Sequence, residues 1–174
     1  TTRSRGRMGR EIALQAYRLG AGVTLVHGGE EVPCVRNIRV SSAGEMAEAV
    51  LGIARDTGFD IYVSAAAISD FAPEQYSGKI PSGKPVDLRL VPLPKLLDRV
   101  REACHPRIIA FKVGGTGVRA ARRLLAEGAD LVVVNPPDVM GAEEGEFTIL
   151  GKDTRIHVQG TKEEAAAILW DAVR

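Results

Sequence analysis

Between residues 8 and 19 the apolar positions are Met8, Ile12, Ala13, Ala16, Tyr17 and Leu19. That is the spacing of a helical stripe. Gly20 and Gly22 close it. VTLVHGG (23–29) follows, a β-branched run stopped by glycines, which predicts a buried strand. VRNIRV (35–40) predicts another short strand. Ser42 with Glu45 three residues on signals a capped helix start, and Met46, Ala49, Val50 and Ile53 share its apolar face.

The alternation continues. DIYVSAAA (60–67) reads as a strand, 68–85 as a long loop rich in Pro, Gly and Ser, and VDLRLV (86–91) as an alternating strand. LPKLLDRVREAC (93–104) is amphipathic, with Pro94 near its first turn. RIIAFKV (107–113) predicts a strand, 117–127 a helix, and DLVVVN (130–135) a wholly apolar strand. FTILGKDTRIHV reads as a hairpin over 146–158 turning at Gly151 and Lys152. Thr161 and Glu164 form a capping box for a last helix to Val173.

Strands alternating with helices, several of them apolar on both faces, predict an α/β fold: three layers, Rossmann-like, with a mostly parallel sheet. No linker or repeat divides the chain, so residues 1–174 read as one domain. A Rossmann-like unit opens with a strand, whereas this chain opens at the following loop. The expectation is therefore a piece of a longer polypeptide lacking an upstream strand. Ligands in such folds bind where strand C-termini meet the next loops, here 64–73, 110–117 and 134–141.

Composition narrows the chemistry. The net charge of +1 creates no global attraction for nucleic acid, and only 5% of residues are aromatic. No apolar run approaches the ~20 residues of a membrane span. Cys34 and Cys104 are far apart and read as reduced thiols of a cytoplasmic protein. The histidines His27, His105 and His157 are scattered, so no metal site is expected.

The local exception is TTRSRGRMGR, with four arginines in its ten residues, beside Ser4, Gly6 and Gly9. Glycines let backbone N–H groups approach an anion, a helix N-terminus favours negative charge, and arginine adds a forked donor. That combination suits a phosphate or a carboxylate. A solvated basic end or a nucleic-acid arm would read the same locally.

The segments together resemble a known family. SRGRMG, a helix and VTLVHGG resemble the S-S-G-K-M-G loop, helix and strand of the phosphopantothenoylcysteine synthetase domain. AAAISDFAP is similar to its A-A-V-x-D-[FWY]-x-P, GKIPSG to its K-I-K-[KS] loop, and LRLVPLPKLLDRV to its L-x-L-x-P-x-P-[DK]-[IL]-[IL]. IIAFKV resembles V-G-F-x-x-E-T, ADLVVVN resembles D-[LM]-I-V-A-N, and KEEAAAILWDAV resembles the last helix, K-x-x-[VA]-A-x-x-[IL]. The matches run in one order over essentially the whole chain.

The resemblance implies a phosphopantothenate–cysteine ligase domain of coenzyme A biosynthesis. Such an enzyme activates the phosphopantothenate carboxylate with a nucleoside triphosphate, CTP or ATP, accompanied by Mg²⁺. It then transfers the acyl group to the cysteine amine. A homodimer with sites shared across its interface is implied, with the 146–158 hairpin able to add strands between subunits. So is a flavin-dependent decarboxylase domain fused upstream. Ser4, Gly6, Arg7, Met8 and Gly9 would cradle the substrate phosphate, Arg7 standing where the family has lysine. Ala66, Ala67 and Asp70 would hold the nucleotide, the backbone at Phe111 would read its base, and Asn135 would line its rim. Lys79 would meet the triphosphate from a lid loop.

Read locally, Asp70 could equally be a cap or surface carboxylate, Phe111 core packing, Lys79 a solvated lysine, and Asn135 a capped strand end. Four departures stand out. Thr2 replaces the asparagine that helps turn over the acyl intermediate. Gly114 and Gly115 stand near the missing E-T. Of two lysines four residues apart, Arg123 fits the first but Glu127 occupies the second. Pro81 replaces a lid lysine. A diverged, non-catalytic phosphate- or nucleotide-binding homologue is thus a competing reading. An NAD(P)-binding Rossmann-like domain is another, although the chain lacks GxGxxG after a strand and an acidic residue ending VTLVHGG.

Overall fold

A computed structural model describes residues 6–74, 78, 82–83, 85–114, 117–137 and 142–174. The chain runs α1 (Arg7–Arg18), β1 (Thr24–His27), β2 (Arg36–Arg39), α2 (Ala43–Asp56), β3 (Ile61–Ser64), β4 (Phe71–Pro73) and β5 (Leu90–Pro92). It continues α3 (Leu96–Cys104), β6 (Arg107–Val113), α4 (Gly117–Ala126), β7 (Leu131–Asn135), β8 (Glu144–Leu150), β9 (Arg155–Thr161) and α5 (Lys162–Val173).

The main sheet has five strands in the order β3-β6-β7-β8-β9. β3, β6 and β7 are parallel neighbours, and the β8–β9 hairpin extends them antiparallel. β1 and β2 form a separate parallel pair. Every residue of β7 is buried. Its alternate side chains face opposite sides of the sheet, and helices cover both. On one side Ile12, Ala16, Leu169 and Trp170 of α1 and α5 close over Ile109, Leu131, Val133 and Phe147. On the other, Ala121 with Leu97 and Leu124 covers Ile108, Ala110, Val132 and Val134. A third cluster joins α2 to α3 through Val50, Leu51, Leu96 and Val100. This is the three-layer α/β arrangement expected, with the parallel strands β3, β6 and β7 forming one side of the five-stranded sheet.

Helix caps follow the sequence signals. Ser42 Oγ accepts from Glu45 N at 3.1 Å. Thr161 Oγ1 accepts from Glu164 N at 3.2 Å, and Glu164 Oε2 accepts from Thr161 N at 2.7 Å. Trp170 Nε1 donates to Ile12 O at 3.0 Å, a buried bond fixing α5 on α1.

One expectation needs correction. The alternating run 86–91 is not a six-residue strand: only Leu90–Pro92 pairs, with Phe71–Pro73 inside the stretch read as loop. Alternation predicts a strand when a core awaits its apolar face, but Val86, Leu88 and Leu90 are all exposed. The hairpin turn spans Gly151 to Thr154, closed by Gly151 N donating to Thr154 O at 2.8 Å. Its strand β8 is paired to β7 within the chain. No helix among the described residues is long and apolar enough to cross a membrane.

Candidate functional site

β3, β6 and β7 end at Ser64, Val113 and Asn135 on one edge of the parallel sheet. The β6 and β7 ends are joined directly, since Gly114 N donates to Asn135 O at 3.2 Å. α4 then starts on top of β7. A Cβ on Gly117 would run into Cγ1 of Val134, so only glycine allows the helix this close. Close seating aims the first turn of α4, with its N–H groups, at the same edge.

Arg7 reaches this edge from α1. β8 runs antiparallel to β7 with Val134 opposite Thr148, so Glu143 and Glu144 lie beyond the β7 terminus. Arg7 Nη1 sits 3.4 Å from Glu143 Oε1. Gly6 caps α1 in the left-handed conformation, φ 69°, which glycine adopts without strain. Among the described residues nothing lies within 4 Å of where a Cβ would stand on Gly6 or Gly9. Met8 packs inward against the α1–α5 core, which anchors the turn. Thr2 and Ser4 lie outside the described residues.

The nucleotide-side candidates flank β3 and β6. Ala66 and Ala67 are exposed just past β3, in a turn closed by Ile68 N donating to Ala66 O at 3.0 Å. Asp70 is exposed, and its carbonyl accepts from Leu93 N at 2.8 Å, tying the turn to the end of β5. Phe111 is half-buried and leans on the α1-side core. Asn135 is buried, and its Nδ2 donates to Pro136 O at 3.2 Å, so the side chain caps its own strand end. Lys79 and Pro81 lie outside the described residues.

Arg123 stands apart. It sits well down the exposed face of α4, and its Nε donates to Glu127 Oε1 at 2.7 Å. Lys95 Nζ approaches the other oxygen of Glu127 at 3.8 Å. The hydrogen bond from Arg123, with Lys95 adding attraction, holds the Glu127 carboxyl below its ordinary range. Glu127, which occupies the position of the second lysine in the resemblance, is therefore neutralised by two cations.

The sequence reading missed Lys162. It is buried at the start of α5, with Nζ donating to Ala142 O at 2.6 Å. Burial, and then the nearby Arg7 charge, pull its pKa down, against a weaker pull upward from Glu143. No periodic pattern marks this lysine. A cleft of about 710 Å³ lies elsewhere, at the β8–β9 turn and the start of β7, lined by Arg122, Asp130, Lys152 and Arg155. It contains none of the candidate residues.

Comparison with known proteins gives the chain a family. The family described as the DNA/pantothenate metabolism flavoprotein C-terminal domain matches residues 1–174. The coenzyme A biosynthesis bifunctional protein CoaBC of Thermococcus kodakarensis is 39% identical over 186 residues, covering 99% of this chain and 46% of that protein. The protein of the same name from Methanocaldococcus jannaschii is 30% identical over 182 residues, covering 98% and 45%. The chain thus spans about half the length of these curated relatives. Among solved structures, the DNA/pantothenate metabolism flavoprotein from Streptococcus pneumoniae superposes with a TM-score of 0.80 at 22% identity, covering 99% of this chain and 87% of that one. At that identity it supports the fold alone. The C-terminal domain of a CoaBC protein superposes with a TM-score of 0.79 at 26% identity, covering 98% and 82%.

Proposed function

The chain belongs to the family of DNA/pantothenate metabolism flavoprotein C-terminal domains, and from that premise we propose that it is a ligase of coenzyme A biosynthesis. It joins 4'-phosphopantothenate to L-cysteine through an acyl-nucleotide, with CTP or another nucleoside triphosphate and Mg²⁺ as co-substrates. A carboxylate resists an amine because oxide is a poor leaving group. Transfer of a nucleotidyl group to the carboxylate releases pyrophosphate and supplies a good leaving group. The cysteine amine then attacks the acyl carbon and the nucleotide monophosphate departs.

One observation carries the reading. A glycine-capped helix start with Arg7 reaches the sheet edge at which β3, β6 and β7 end. Two anions must meet for the first step, so cations and backbone donors have to offset their repulsion. Gly6, Arg7, Met8 and Gly9, with Ser4, take the substrate phosphate. Ala66, Ala67, Asp70, Phe111, Arg123 and Asn135, with Lys79, take the nucleotide. Thr2 stands where the acyl intermediate is handled. Mg²⁺ would come with the nucleotide and would offset the charge of its triphosphate. The working unit in this reading is a cytoplasmic homodimer, and the upstream partner is a flavin-dependent decarboxylase.

The test is pyrophosphate release from phosphopantothenate with each of the four nucleoside triphosphates, followed by cysteine-dependent product formation. Silence with all four rejects the ligase. The Arg123–Glu127 pair favours one second reading, a phosphate- and nucleotide-binding homologue that does not ligate. It predicts binding without turnover, with activity gained when Thr2→Asn and Glu127→Lys are combined.

A further inference from the structure

A lysine that opens a helix is usually left to solvent, yet only 9% of Lys162 is exposed. Its ammonium donates to Ala142 O at 2.6 Å, and its own backbone N–H donates to Glu143 O at 3.2 Å. One residue therefore grips two successive carbonyls where the chain enters β8. Glu143 in turn extends its carboxylate to Arg7, 3.4 Å away. α5, the β8 entry and the first residue of α1 are linked in series.

Arg7 and Lys162 both lie near Glu143, whose side chain is 85% exposed. An exposed ion pair of this kind is weak. A phosphate dianion offers Arg7 a two-pronged, charge-assisted alternative. Arg7 can thus exchange Glu143 for a phosphate at little cost, provided the β8 entry stays where it is. A buried ammonium is itself costly unless its donors and charge are used. Here its donors hold the segment that carries Glu143.

We infer that Lys162 is a positioning residue for the phosphate end of the site: it fixes Ala142 and Glu143 so that Arg7 is held at the sheet edge, ready to take the phosphate of the incoming acid. This rests on the phosphopantothenate reading above. Lys162 acts through Arg7 and Glu143, so its loss should be felt by one substrate and not the other.

The experiment compares the protein with its Lys162→Met and Lys162→Arg variants by pyrophosphate release, varying phosphopantothenate and nucleotide separately. Lys162→Met should raise the KM for phosphopantothenate at least about fivefold while the nucleotide KM stays within about twofold. Lys162→Arg, which keeps the charge and a donor, should return the phosphopantothenate KM to within about twofold of the parent. A lysine with a merely structural role would lower the melting temperature and the active fraction without separating the two KM values. Should Lys162→Met fail to fold, Lys162→Gln keeps a donor to Ala142 O without the charge and carries the same comparison. A folded variant with an unmoved phosphopantothenate KM, or with both KM values shifted equally, overturns the inference while leaving the ligase intact. A parent protein that releases no pyrophosphate removes both.

Discussion

Arg123 Nε donates to Glu127 Oε1 at 2.7 Å, so the arginine placed by resemblance at the nucleotide is already bound to a carboxylate of its own chain. To meet a polyphosphate it must leave Glu127, and the internal anion competes with the external one. Glu127→Gln removes that competitor. The KM for the nucleotide should fall about two- to fivefold, and the melting temperature should barely move, because both side chains are solvent-facing. Initial rates of pyrophosphate release against nucleotide concentration read this directly. Adding Arg123→Ala to Glu127→Gln should abolish the gain. An unchanged nucleotide KM in Glu127→Gln would remove Arg123 from the nucleotide site.

Gly117 sets how closely α4 sits on β7. A Cβ there meets Val134 Cγ1, part of a β-branched side chain locked in the core. Gly117→Ala should therefore lower unfolding free energy by about 1–3 kcal/mol, the usual cost of overpacking. Urea unfolding checks it, and Val134→Ala in the same chain should recover part of the loss by making room. Because Gly117 opens α4 at the nucleotide edge, kcat should drop by more than the folded fraction does.

The layers were legible in the sequence where a local signal had one physical meaning. Ser42 with Glu45 and Thr161 with Glu164 announce helix starts through hydrogen bonds that need only neighbouring residues. The unbroken apolar run of β7 announces a strand covered on both faces. The β4–β5 ribbon was misread because Val86, Leu88 and Leu90 alternate as a half-buried strand would, and alternation cannot say whether a core lies opposite. Asn135 carried two local readings, cap or ligand contact. Its Nδ2 donates to Pro136 O, the contact that the cap reading calls for. Lys162 was matched only as the first residue of the last-helix motif and given no role, since a lysine in a first helical turn reads as solvated until the entry to β8 packs against it. The Arg123–Glu127 spacing was readable as an ion pair on one helix face, although the resemblance marked Glu127 only as a departure from a lysine.

Acid should weaken the fold through its helix caps. Glu45 accepts from Ser41 N at 2.8 Å and Glu164 from Thr161 N at 2.7 Å. Those backbone hydrogen bonds hold both carboxyls below their ordinary range, as Arg123 does for Glu127. The folded state therefore binds fewer protons than the unfolded chain around the normal carboxylate pKa. Their stabilisation is present above that range and is lost as pH falls through the lowered folded values, from about pH 5 towards pH 3. Trp170, the single tryptophan, reports unfolding by its fluorescence. Urea midpoints should fall steadily over that window. Glu164→Gln, which keeps an acceptor but cannot titrate, should flatten the slope while costing little at pH 7. A variant with the parent's acid slope would exclude the capping box from acid sensitivity.

Lys79 belongs to the segment proposed to close on the triphosphate. Described neighbours on either side, Gly78 and Gly83, are exposed and have positive φ values of 111° and 84°. Glycines in such conformations suit a turning surface segment. Lys79→Ala should therefore leave the melting temperature within about 1 °C, in line with a surface change of under ~0.5 kcal/mol. Its effect belongs to the first chemical step, where charge builds on the phosphate as the carboxylate attacks. Removing one cation from a transition state of that kind typically costs about 10²–10³ in kcat. The measurement is single-turnover pyrophosphate release at saturating nucleotide, which separates chemistry from binding. Lys79→Arg should recover part of the rate, because charge matters more here than the shape of the head group. Equal losses of thermal stability and turnover would mean that Lys79 supports the fold and that the cation facing the triphosphate lies elsewhere on the sheet edge.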